Sequence, residues 1–145
     1  SMQKCGYNVL ADVAALGLPY QVAGVATTRR FIEKSPDIVR RYLRAQVETV
    51  HRMKTDRETT LKVLMKYFSG LKDRDVLDKT YDQIVGNDKI LPPKQYPTLE
   101  GLKTILDTLA DREPKAKTAK AEDFVDMRFA KELDESGYID RLYRR

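Results

Sequence analysis

The chain has 145 residues, 27 Lys+Arg against 22 Asp+Glu, and a formal charge of +5, which suits one charge-rich globular chain rather than a small scaffold that needs a metal or disulfide. One cysteine, Cys5, excludes an intramolecular disulfide. The most apolar window, Val9 to Gly24, is interrupted by Asp12, Pro19 and Gln21 and falls short of the roughly 18 apolar residues of a membrane span.

Tyr7–Val13 and Val22–Thr28 are short β-branched or small-apolar runs separated by Gly17-Leu18-Pro19, the pattern of one or two short strands near the N-terminus. Gly24 inside the second run implies that another backbone passes close by. From Ser35 onward the punctuation is helical. Ser35 as N-cap, Pro36 at the first helical position and Asp37 at the positive end of the dipole open a helix to about Lys54, with Val39, Leu43, Val47 and Val50 on its inner stripe. Asp56 opens a second helix that stops at Gly70, and Asp73 a third that stops at Gly86.

Pro92, Pro93 and Pro97 make Asn87–Pro97 an extended connector. Helix resumes after Thr98 on the stripe Leu99, Leu102, Ile105, Leu106 and Leu109, and Pro114 closes that segment. Lys115–Lys120 reads as an exposed basic loop. A long helix is expected from about Glu122 to Glu135, with Phe124, Val125, Phe129 and Leu133 inward and Gly137 at C′, followed by one turn at Tyr138–Tyr143.

Candidate chemistry is sparse. His51 is the only histidine, has no sequence partner for nucleophilic catalysis, and reads as a solvated or packing residue. Gly6, Gly17 and Gly24 fit neither a dinucleotide nor a P-loop spacing. No catalytic residue, metal ligand or cofactor site follows. The basic residues Arg29, Arg30, Arg40, Arg41, Arg44, Lys115, Lys117 and Lys120 are spread over several elements and interleaved with acids, which argues against nucleic acid as a partner. Tyr7, Tyr20, Tyr96 and Tyr138 lie at segment edges, where a ring is half buried and its hydroxyl can meet a partner or cap a core.

The order of these signals resembles a family. Gly17-Leu18-Pro19-Tyr20, then Thr27-Thr28-Arg29-Arg30-Phe31-Ile32, then Ser35-Pro36-Asp37-Ile38-Val39, Tyr96-Pro97-Thr98-Leu99-Glu100-Gly101-Leu102, Asp123–Phe129 and Glu132–Asp140 occur in the order found in periplasmic solute-binding proteins of ABC importers, in the group for nitrate, sulfonate, taurine and thiamine-pyrimidine precursors. The resemblance implies a mainly α chain, the helical C-terminal portion of a two-lobe α/β periplasmic-binding-protein fold. Residues 1–34 would be the hinge-crossing extended segment and 35–145 the helical region. It implies a non-catalytic protein without cofactor, whose parent is periplasmic or tethered outside a membrane, binds a small solute and delivers it to importer membrane subunits. Tyr20 and Gln21 are the positions expected near ligand. Two alternatives remain open, a helical nucleic-acid- or partner-binding module and a thiamine-pyrimidine synthesis enzyme of the same fold. Loss of a supporting sheet would leave apolar stripes exposed, so this piece is expected to self-associate as a homo-oligomer.

Overall fold

A computed structural model describes residues 6, 8, 10, 17–68 and 73–144. The expected extended segment Tyr7–Val13, Cys5 and Gly70, the expected end of the second helix, lie largely or wholly outside them. The described chain is mainly α, as its periodicity implies: α1 Arg29–Lys34, α2 Pro36–Thr55, α3 Arg57–Tyr67, α4 Arg74–Ile84, α5 Leu99–Leu109, α6 Arg128–Glu135 and α7 Tyr138–Tyr143. Two 3₁₀ turns, Pro114–Lys117 and Ala121–Phe124, follow α5. None of these helices is long and apolar enough to cross a membrane.

The short strands expected near the N-terminus are not found among the described residues. Val22–Thr28 has no regular structure, because a strand exists only through a ladder with a neighbour and no described segment pairs with it. The chain then turns helical at once: the Thr28 hydroxyl accepts from the Phe31 N–H at 3.1 Å and caps α1.

The chain forms two compact units, one of residues 1–26 and 97–127, the other of residues 27–96 and 128–145. The second unit is built on α2, which packs against α1, α3, α6 and α7, while α3 and α4 form a hairpin. Ser35 closes α1 through its N–H to the Phe31 carbonyl and then starts α2 with its own carbonyl, without using its hydroxyl as a cap. Asp56 and Asp73 do cap, accepting from Thr59 and from Asp75 and Val76.

The core of this unit gathers Leu61, Leu77, Tyr81 and Val85, with Met53, Leu64 and Leu91 packed on it. Helices α2 and α4 also close one another's C-terminal ends. The Tyr81 hydroxyl donates to the Met53 and Lys54 carbonyls at 2.8 and 3.2 Å, and the Lys54 ammonium donates to the Val85 carbonyl at 2.7 Å. Carbonyls that a helix end leaves unpaired are thereby satisfied under cover, with the Lys54 side chain only 11% exposed.

Across α3 and α4, Arg57 lies over the Tyr81 ring at 4.5 Å and bonds Asp78 and Asp82, while Arg74 bridges Asp78 and Glu58. Bonds from Arg57 and Arg74 hold the Asp78 carboxyl below its ordinary pKa. A lowered folded-state value stabilises above the unfolded pKa and is lost as pH falls through the folded one. Acid denaturation should therefore show stability decreasing from about pH 4 downward, and Asp78→Asn should flatten that limb in chemical-denaturation midpoints taken across pH.

In the first unit, α5 packs on both 3₁₀ turns. Here three expectations are corrected. Pro114 does not end α5, which stops at Leu109, but opens a 3₁₀ turn. Lys115–Lys120 is not a plain exposed loop, since Ala116 is buried. The helix expected over Glu122–Glu135 is broken: Val125 is extended at φ −124°, ψ 145°, Phe124 faces solvent, and α6 begins only at Arg128. The chain leaves one unit at Met127 and joins the other at Arg128, close to this break. Gly137 does adopt the left-handed conformation, at φ 69°.

Candidate functional site

The two residues expected near ligand lie where the N-terminal segment crosses the start of α5, inside the first unit. The segment Leu18–Thr28 runs without helix, turn or bend. At Gln21 it is fastened: the carboxamide Oε1 accepts from the Thr98 N–H at 2.9 Å and from the Thr98 hydroxyl at 3.2 Å, and Nε2 donates to the Ala23 carbonyl at 2.5 Å. Thr98 is the N-cap residue of α5 but makes no side-chain cap of its own. Gln21 thus takes the donor at the N-cap position of a helix whose first-turn N–H groups have no intrahelical partner.

The crossing is close because of one residue that the sequence reading passed over. Gly101 is buried in the first turn of α5, and a Cβ there would lie 2.6 Å from the Gln21 nitrogen and 2.9 Å from the Tyr20 carbonyl carbon, besides striking the Thr98 hydroxyl. Such distances are well inside van der Waals contact, so only glycine fits. A signal was present, since glycine in a helix costs about 1 kcal/mol relative to alanine and so calls for a packing reason. The close backbone approach expected at Gly24 is found here instead: a Cβ at Gly24 would meet nothing within 4 Å.

Gln21 is therefore spent on the junction with Thr98, whereas the Tyr20 ring is half exposed and makes no side-chain hydrogen bond among the described residues. The arrangement holds Tyr20 at a fixed place beside the α5 N-terminus. What it offers is an aromatic face and a phenol.

Tyr96 and Tyr138 serve the second unit. Tyr96 donates to Asp134 at 3.0 Å, beside the 2.7 Å Lys94–Asp134 pair, and burial pushes its phenol up. Tyr138 lies under the Arg44 guanidinium at 4.6 Å and donates to Glu48, and burial again raises its pKa. Tyr7 is outside the described residues. His51 packs edge-on against Tyr143, with ring centroids 4.8 Å apart.

Two open clefts also lie in the second unit. One, of about 400 Å³, is walled by Ile32, Pro36, Arg40, Phe129 and Glu132. Its Arg40 gives Nε to both Glu132 oxygens at 3.0 and 2.9 Å and Nη1 to Asp37 at 2.9 Å, so its charge is already paired with two carboxylates. The other, of about 430 Å³, is floored by Pro92, Pro93, Ile139 and Tyr143. Pro92 and Pro93 are half-buried on turns rather than on a plain extended connector, for Asn87 accepts from Ile90 and Leu91 and the chain bends again before Gln95. Among the described residues no group of three or more His, Cys, Asp or Glu side chains could hold a metal.

Charge divides unevenly. Residues 27–96 and 128–145 carry 21 Lys+Arg against 14 Asp+Glu, a formal +7, and residues 1–26 and 97–127 carry 6 against 8, a formal −2. No family model, curated protein or solved structure matches the chain.

Proposed function

We propose that this chain is the C-terminal part of the solute-binding component of an ABC importer, whose parent binds a small anion or related solute such as nitrate, a sulfonate, taurine or a pyrimidine precursor. The observation that carries this reading is the chain path. The polypeptide passes between two compact units three times, at Ala26–Thr27, Tyr96–Pro97 and Met127–Arg128. In a hinged binding protein the bodies close as units while a few connecting residues absorb the change, and a chain that passes between two units supplies such connections. The motif order described above supports the same reading. In the parent, Tyr20 would supply an aromatic face to solute and Gln21 would fix the segment that carries it, with importer membrane subunits as the partner and an extracytoplasmic location.

The +7 charge of the second unit favours one other reading, a module for polyanionic partners such as nucleic acid. Against it, Arg40, Arg44, Arg57, Arg74 and Lys94 are all committed to carboxylates, which weakens any continuous field for tracking phosphates.

The coding sequence upstream of these residues separates the two. An export signal followed by a first α/β lobe is the expected result. An upstream region without such a lobe, together with salt-dependent duplex DNA binding by this chain, would replace the importer reading with the second.

A further inference from the structure

The segment that carries Tyr20 continues as Val22-Ala23-Gly24-Val25-Ala26, five residues without charge or proline. Among the described residues this stretch makes no backbone–backbone hydrogen bond, and its one recorded bond is the Gln21 amide on the Ala23 carbonyl. Val22 is 85% and Val25 61% exposed, and the space beside Gly24 is open. One end cannot retract, since Gln21 is bonded to Thr98 and the backbone rests on Gly101. A run of N–H and C=O groups free of backbone partners, flanked by small apolar side chains and two β-branched valines, is a template for another strand.

We propose that Val22–Ala26 pairs antiparallel with the same residues of a second copy of this chain. The sequence is complementary to itself in that register. Centred on Gly24, the pairing sets Val22 against Ala26 and Ala23 against Val25, so that each larger side chain faces a small one and glycine faces glycine. This is an isologous contact, in which both copies use the same patch. No charge within the stretch repels its twin, and the surrounding unit carries only −2.

A second observation supplies the need for cover. Among the described residues of this unit the buried ones are Gly101, Ala116 and Ala121, whereas Leu18, Tyr20, Leu109 and Phe124 are exposed. A two-stranded ribbon alone is marginal in water. Apolar side chains beside it supply the remainder of the contact. The inference does not rest on the solute-binding reading, and because its test uses no ligand the two can fail separately.

The test is sedimentation of the intact chain across micromolar concentrations, with the infrared amide band recorded on the same samples. The expected result is a rise toward twice the monomer mass, accompanied by an antiparallel β band that the helical monomer lacks. Neighbouring residues of a strand point their N–H groups to opposite edges, so Gly24→Pro and Val25→Pro between them remove a donor from each edge. At least one should weaken association about tenfold or more, with the helical circular dichroism of both retained. A mass that stays monomeric, a dimer without the β band, or a dimer that both proline variants leave intact would overturn the proposal.

Discussion

Gly101→Val is expected to destabilise the unit that contains α5 by about 3 kcal/mol, the upper range for overpacking a site that cannot relax. Besides the Thr98 hydroxyl, the new Cβ would meet backbone atoms of Tyr20 and Gln21, which cannot swing aside as a side chain can. Relief would require lifting the segment off α5, and with it the bonds from Thr98 to Gln21. Gly24→Ala makes the contrasting control, because open space surrounds that position and its φ is not in the left-handed region. Reducing unfolded-chain entropy there should change stability by less than about 1 kcal/mol. Thermal unfolding of both variants checks the pair. Equal effects would mean that the crossing does not hold the segment in place.

Leu77→Ala is expected to cost about 3 kcal/mol in the other unit. Leu77 is fully buried, at 0% exposure, in the cluster with Leu61, Tyr81 and Val85. Truncation removes the transfer energy of the lost atoms and leaves a cavity that a close-packed helical hairpin fills only in part. Tyr81→Phe probes the polar side of the same cluster. It should lose about 1 kcal/mol, because the Met53 and Lys54 carbonyls surrender the phenol that caps them. Urea unfolding followed by circular dichroism measures both. A Leu77→Ala variant as stable as the parent chain would show that the α3–α4 hairpin is not the core of its unit.

The sequence was most informative where structure is decided by neighbours along the chain. Pro36 at the first position of α2, the Asp56 and Asp73 caps, the left-handed Gly137 and the short α7 all follow from local hydrogen-bond chemistry. Features decided at a distance were not legible. Periodicity placed Phe124 and Val125 on an inner helical face, but the chain makes only a 3₁₀ turn to Phe124, runs extended at Val125 and passes between units before α6 begins. The β-prone composition of Val22–Thr28 says that a strand is possible, while the partner that would make it one is non-local. At the candidate site, Tyr20 and Gln21 were expected near ligand only through the family resemblance. The residue that seats them, Gly101, lies eighty positions further on; its place inside a helix hints at close packing, but which segment packs there shows only in the fold.

Calorimetric titration of the full-length parent with nitrate, sulfonates, taurine and pyrimidine precursors, run beside this chain alone, tests the solute-binding account most directly. The account predicts saturable binding of one of these solutes by the parent in the micromolar range, near −8 kcal/mol, and nothing tighter than about millimolar, near −4 kcal/mol, for the chain by itself. A parent that binds none of them would contradict the account, and micromolar binding by the isolated chain would contradict its placement of the site.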